Sequence, residues 1–169
     1  MLIKVKNNID EIATICDEVK KFCAENNISE QKAYDIAVII DELATNIISY
    51  AYDDAQEHTF SITLEKDSKQ VRIHLVDDGV EFNPLQNGTP DLESSLDDRK
   101  IGGLGIFLVQ QLSEKVNYAR EEDQNKLDVL VNVSEQQEQD QAPESEQKDQ
   151  GAEPKPEQNK DNKKDEKGE

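Results

Sequence analysis

Apolar positions over the first 133 residues follow two periods, and the switches between them mark the elements. Ile12, Ile15, Cys16, Val19, Phe22 and Cys23 recur at three- and four-residue spacing, with Glu11, Asp17, Glu18, Lys20 and Lys21 on the other side. This spacing predicts an amphipathic helix over roughly Ile9 to Glu25. Asn26, Asn27 and Ser29 interrupt it, and Ser29 is a candidate N-cap for a second helix. The centre of that helix, DIAVIIDELATNIISYAY from Asp35 to Tyr52, is the stretch around which the chain is organised. It is apolar almost all the way round, as in a helix buried on more than one side. Glu42 and Asn46 break the pattern. Four residues apart, they stack in one row along the helix.

Downstream the period falls to two. Phe60, Ile62 and Leu64 alternate with Ser61, Thr63 and Glu65, and Val71, Ile73 and Leu75 alternate with Arg72, His74 and Val76. The polar run Lys66-Asp67-Ser68-Lys69 joins the two strands into a hairpin. A second hairpin is expected around Val116 to Glu121 and Leu127 to Val133, with Glu122 to Lys126 as its turn. The LIKVK run at residues 2–6 reads as a short edge strand. Between the hairpins, Leu85 to Lys100 is polar and rich in Gly, Pro, Asn, Asp and Ser, a long irregular stretch of the kind that serves as a lid or stays disordered. It runs into Ile101-Gly102-Gly103-Leu104-Gly105 and then an apolar helix through Ile106, Phe107, Val109 and Leu112, with Phe107 read as core packing. Helices interleaved with antiparallel hairpins predict a two-layer α+β sandwich, one sheet with helices on one face.

Composition divides the chain in two. The apolar fraction is 34% and the net charge −19 over 169 residues, but neither is evenly spread. From Ser134 onward there is no aromatic residue and no Val, Ile, Leu or Met, and 12 Asp/Glu stand against 6 Lys. Such a tail cannot bury enough apolar surface to offset the entropy of ordering it. The expected organisation is a folded domain over residues 1–133 and a disordered acidic tail over 134–169. The tail carries −6, which leaves −13 for the domain. An acidic domain without a basic run is not expected to bind nucleic acid through phosphate neutralisation, and a basic partner surface would be steered toward it. No apolar run approaches a membrane span and the N-terminus lacks a signal-peptide core, so a cytoplasmic protein is expected. Cys16 and Cys23, seven residues apart on one helix, are too distant to pair and are expected to fill the core. His58 and His74 are expected on the solvated face or in a loop.

Three clusters carry candidate chemistry. Glu42 and Asn46 either form a polar pair satisfied by neighbouring groups or line a polar cavity. In such a cavity Asn46 suits a hard cation held mainly by phosphates, and Glu42 suits a proton acceptor. Asp77-Asp78-Gly79, at a strand end, is either an ordinary turn or a carboxylate placed to accept from an exocyclic amine. Gly102-Gly103-Leu104-Gly105 either caps a helix or lets backbone N–H groups approach phosphate.

In this order, with a polar lid between the last two, Glu42-x-x-x-Asn46, Asp77-x-Gly79 and Gly102-Gly103-Leu104-Gly105 resemble the nucleotide boxes of the histidine-kinase-like ATPase superfamily. The small size and the IGGLGIFLVQQL wording are most similar to its anti-sigma factor serine-protein kinases. The resemblance covers roughly residues 9–133. It implies a Bergerat-type sandwich with a mixed, mostly antiparallel sheet and a site for ATP and Mg2+. Glu42 would be the catalytic base and Asn46 the magnesium ligand. Asp77 with Gly79 would read adenine, and Gly102, Gly103, Leu104 and Gly105 would face phosphate, with Arg99 and Lys100 just before them. It further implies a homodimer that phosphorylates a serine or threonine of an anti-anti-sigma (STAS-like) partner and exchanges it for a sigma factor. The alternative is a nucleotide-dependent module that sequesters a sigma factor or other regulator without turnover. Glu81 stands where the family's second glycine would be, and no phospho-accepting histidine segment of a sensor kinase is recognised.

Overall fold

The alternation in the two hairpins is enough to build a sheet, because each strand has one face to bury. In the computed structural model, which describes residues 1–86 and 104–134, five strands form one sheet. They are β1 (Leu2–Lys6), β2 (Thr59–Lys66), β3 (Gln70–Asp77), β4 (Lys115–Glu121) and β5 (Gln124–Asn132), in the spatial order β1-β2-β3-β5-β4. Every pairing is antiparallel, so the parallel component of the expected mixed sheet does not occur among the described residues. All described residues lie within one compact unit, Met1–Gln136.

Val71, Ile73 and Leu75 of β3 face the same side as Phe60, Ile62 and Leu64 of β2 and Leu127, Val129 and Val131 of β5, all buried. Three helices contribute to that core: α1 (Glu11–Glu25), α2 (Glu30–Tyr50) and α3 (Leu104–Leu112). Ser29 caps α2, its hydroxyl oxygen accepting from Lys32 N at 3.4 Å. The centre of α2 is buried through Ile36, Ile39, Ile40, Leu43 and Ala44, and α2 packs against both α1 and α3. This arrangement explains its nearly all-round apolar sequence. A fully buried Ile or Leu contributes about 1.5–3 kcal/mol, so this row is a main anchor of the layer.

The opposite face of the sheet carries Ser61, Thr63, Arg72, His74 and Asp128, where His74 Nδ1 lies 3.1 Å from Asp128 Oδ1. His58 sits in the loop after α2, 2.8 Å from Asp54 and stacked on Tyr52 with ring centroids 4.1 Å apart. Neither histidine enters the core. Cys23 is buried and Cys16 half-buried, both free, with their thiol pKa values pushed up by burial. No helix among the described residues is long and apolar enough to cross a membrane.

Two local expectations are corrected. The second hairpin turns on two residues only, Glu122 and Asp123, with φ of 53° and 60°. Gln124, Asn125 and Lys126, read from sequence as part of the turn, therefore belong to β5. Phe107 is half-buried and outside the core cluster. On α3 it is Ile106 and Val109 that point inward.

Candidate functional site

The stripe Leu43, Asn46, Ile47 and Tyr50, at spacings of three and four, runs from the buried centre of α2 to its exposed C-terminal end. There it forms one wall of a cavity of about 120 Å3. Ala51 at the C-cap of α2, Leu75 and Asp77 of β3, Asn125 and Leu127 of β5, Tyr118 of β4, Ile106 of α3 and Val80, Glu81, Phe82 and Pro84 complete the lining. The walls are mostly aliphatic. The polar groups are few: Asn46 on the helix side, Asp77 and Asn125 from the sheet, and Tyr50, Glu81 and Tyr118 toward the rim.

Period two explains how Asp77 arrives there. It continues the buried series Val71, Ile73 and Leu75, so its carboxylate points to the helical side at 7% exposure. Its Oδ1 accepts from Gly79 N at 3.0 Å and from Asn125 Nδ2 at 2.8 Å. Burial pushes the Asp77 pKa above the usual carboxylate range. The Asn125 bond, the Gly79 N–H and the Arg120 charge oppose that shift, and Asp78 adds to it.

The turn after β3 is fastened to the end of α2. Val80 N donates to Ala51 O at 2.7 Å. A Cβ on Gly79 would overlap that same carbonyl oxygen and lie 2.7 Å from Ala51 Cβ. The glycine is thus required by the close approach of strand end to helix end, since the space beside it is filled by Ala51. Arg120 Nη1 donates to Gly79 O at 2.8 Å from the far side. Tyr52 OH donates to Asp78 Oδ1 at 3.2 Å, and burial together with the Asp78 and Asp77 charges raises the Tyr52 pKa well above its ordinary value.

Glu42 and Asn46 are both half-buried. Asn46 lines the cavity. Glu42, one turn earlier, lies against the start of α3, where a Cβ on Gly105 would overlap Glu42 Oε2. Leu104, the first residue of α3, is 54% exposed. Arg99, Lys100, Gly102 and Gly103 lie outside the described residues. Asn46 and Asp77 therefore meet at one cavity, and Glu42 meets Gly105 beside it. Among the described residues no group of three or more His, Cys, Asp or Glu gathers to hold a metal ion.

Sequence reasoning missed Asn125, Tyr118 and Arg120. Asn125 is buried, and its amide also donates to Val80 O at 2.9 Å and accepts from Tyr118 OH at 2.8 Å. The signal was present in the series 125, 127, 129 and 131, which alternates in register with β3 once the turn is shortened to two residues.

Comparison with known proteins bears on the same region. Residues 5–131 match the family described as the histidine kinase-like ATPase domain. The serine/threonine-protein kinase BtrW of Bordetella bronchiseptica is 29% identical over 99 residues, covering 59% of this chain and 70% of that protein. The serine-protein kinase RsbW of Halalkalibacterium halodurans is 33% identical over 86 residues, covering 48% of this chain and 52% of that protein, so the match spans about half of that relative. The serine-protein kinase RsbW of a Bacillus cereus strain is 30% identical over 114 residues, covering 64% of this chain and 70% of that protein. Among solved structures, the RsbU and RsbW domains of a Mycobacterium tuberculosis protein superpose with a TM-score of 0.54 at 13% identity, over 79% of this chain and 32% of that one. That likeness concerns the fold.

Proposed function

The chain belongs to the histidine kinase-like ATPase domain family, and from that premise we propose that it is an ATP-dependent serine/threonine-protein kinase acting on a small regulatory protein. The observation that carries the reading is the meeting of Asp77 and Asn46 at one apolar-walled cavity, although they come from different layers of the sandwich. A flat purine suits such walls, and the Asp77 carboxylate suits its exocyclic amine. The phosphates would extend past Asn46 toward Glu42 and Gly105. Gly102, Gly103, Leu104, Arg99 and Lys100 remain candidates for contacts there.

The donor set fits Mg2+ in one limited sense. Asn46 offers a single neutral oxygen, as for an ion held mainly by phosphates and water. Such an ion would neutralise phosphate charge. Glu42 would take the proton of a partner's serine or threonine hydroxyl as its oxygen bonds to the γ-phosphorus and the bond to ADP breaks. The phosphorylated partner gains about −1.5 to −2 charge. Beside a chain of net charge −19, that gain favours release and suits an exchange between an anti-anti-sigma type partner and a sigma factor. Homodimerisation and a reducing cytoplasm, consistent with two free cysteines, belong to the same proposal.

The test is incubation with Mg2+, γ-labelled ATP and a candidate small regulatory protein. Label on a partner serine or threonine that disappears in Glu42→Gln is the expected result. Nucleotide binding with no label on any partner would favour a sequestering module instead. A chain that binds no nucleotide would overturn both readings.

A further inference from the structure

Asn125 stands directly opposite Asp77 on the neighbouring strand, and both are 7% exposed. A side-chain amide has two donor hydrogens and an acceptor oxygen with two lone pairs. Here all of them are engaged. Nδ2 donates to Asp77 Oδ1 at 2.8 Å and to Val80 O at 2.9 Å, while Oδ1 accepts from Tyr118 OH at 2.8 Å and Phe82 N at 3.4 Å. Rotating the amide by half a turn would set its oxygen against two acceptors and its NH2 against the Phe82 N–H. The amide therefore has one orientation, and in it a donor faces Asp77.

Both donors to Asp77, Asn125 Nδ2 and Gly79 N, fall on Oδ1. Among the described residues, Oδ2 is thus the oxygen left for the cavity. Burial favours the neutral acid, and the Asn125 bond is first among the influences that oppose it. Ionisation decides what the cavity can read. A carboxylate only accepts, so it meets a six-amino group and opposes a six-keto oxygen. A neutral carboxyl can donate and tolerates the keto group.

We propose that Asn125 is a positioning residue that fixes the Asp77 carboxylate as an acceptor and thereby makes the cavity prefer six-amino over six-keto purines. The inference rests on the nucleotide reading above and adds the residue that sets its base specificity. Tyr118 supports it by holding the amide in its one orientation.

The experiment is calorimetric titration of the full chain with ATP and with ITP, which carries a keto group at the six position. The wild-type chain prefers ATP. Asn125→Leu, close in shape and without a donor, lowers the ATP-to-ITP preference about tenfold. Tyr118→Phe lowers it less, and Asn125→Ser, which keeps one donor, recovers part of it. A purely structural role would weaken both nucleotides by the same factor. An unchanged ratio in an Asn125→Leu chain that still binds ATP overturns this inference and leaves the kinase reading standing. A wild-type chain that binds neither nucleotide overturns both. Where Asn125→Leu fails to fold, the ratio in Tyr118→Phe decides in the same way.

Discussion

A methyl group at Gly105 would land on the Glu42 carboxylate, the end of a flexible side chain that can swing aside. Gly105→Ala is therefore expected to leave the thermal midpoint nearly unchanged, since alanine suits a helix better than glycine, and to cut phosphoryl transfer about a hundredfold by displacing the proposed base. Paired melting curves and single-turnover assays check this. Asp77 shows the reverse trade. Its carboxyl titrates higher in the folded chain than in the unfolded one because burial disfavours its charge. Over a window opening near the ordinary value of 3.8, the folded chain holds the proton longer, so stability declines as pH rises through the window and stays lower above it. Asp77→Asn removes that decline. Urea unfolding at pH 4 and pH 7 without nucleotide should show the variant gaining on the wild type at the higher pH, while ATP affinity falls. Glu42, Asn46 and Asp77 were visible as candidates because a polar residue in an apolar pattern stands out. Asn125 was not, because it sits in a run of polar neighbours.

The β4–β5 hairpin shows where element boundaries escape a linear reading. The stretch EDQNK is polar throughout and reads as a five-residue turn, yet the chain reverses on Glu122 and Asp123 alone. Polar side chains do not prevent a strand when its backbone is paired on both sides, as that of β5 is with β3 and β4. Two successive residues at positive φ favour Asn-Gly. Replacing Glu122-Asp123 by Asn-Gly should relieve left-handed strain and raise stability by about 1 kcal/mol, read as a shift in urea midpoint at unchanged slope. The first hairpin was legible because its turn and its alternation agree. There Asp67 Oδ1 accepts from Lys69 N at 2.7 Å and from Gln70 N at 2.8 Å, closing the reversal where the sequence placed it.

For the whole molecule, the division of composition carries the expectation. Residues 135–169 contain no Val, Ile, Leu, Met or aromatic side chain and carry a net −6. A chain ending at Ser134 should keep its melting temperature and ATP affinity within error. Its association with a basic partner should become slower and less dependent on salt, because the steering charge falls from −19 to −13. Stopped-flow association at two ionic strengths measures this. A loss of melting temperature on truncation would mean that the tail contributes to the fold.

The sequence by itself determined the two-layer architecture, the central helix, the acidic character and the short list of candidate residues for the proposed nucleotide site. These depend on periodicity and residue chemistry, which are properties of neighbours along the chain. Only the tertiary structure decided the wholly antiparallel strand order, the pairing of Asp77 with Asn125 across β3 and β5, the docking of Gly79 on Ala51 and the fit of Gly105 beneath Glu42. Each of these depends on which distant segments come to lie side by side. Strand register and helix seating set that through packing of the whole core, and no local stretch of the chain encodes it alone.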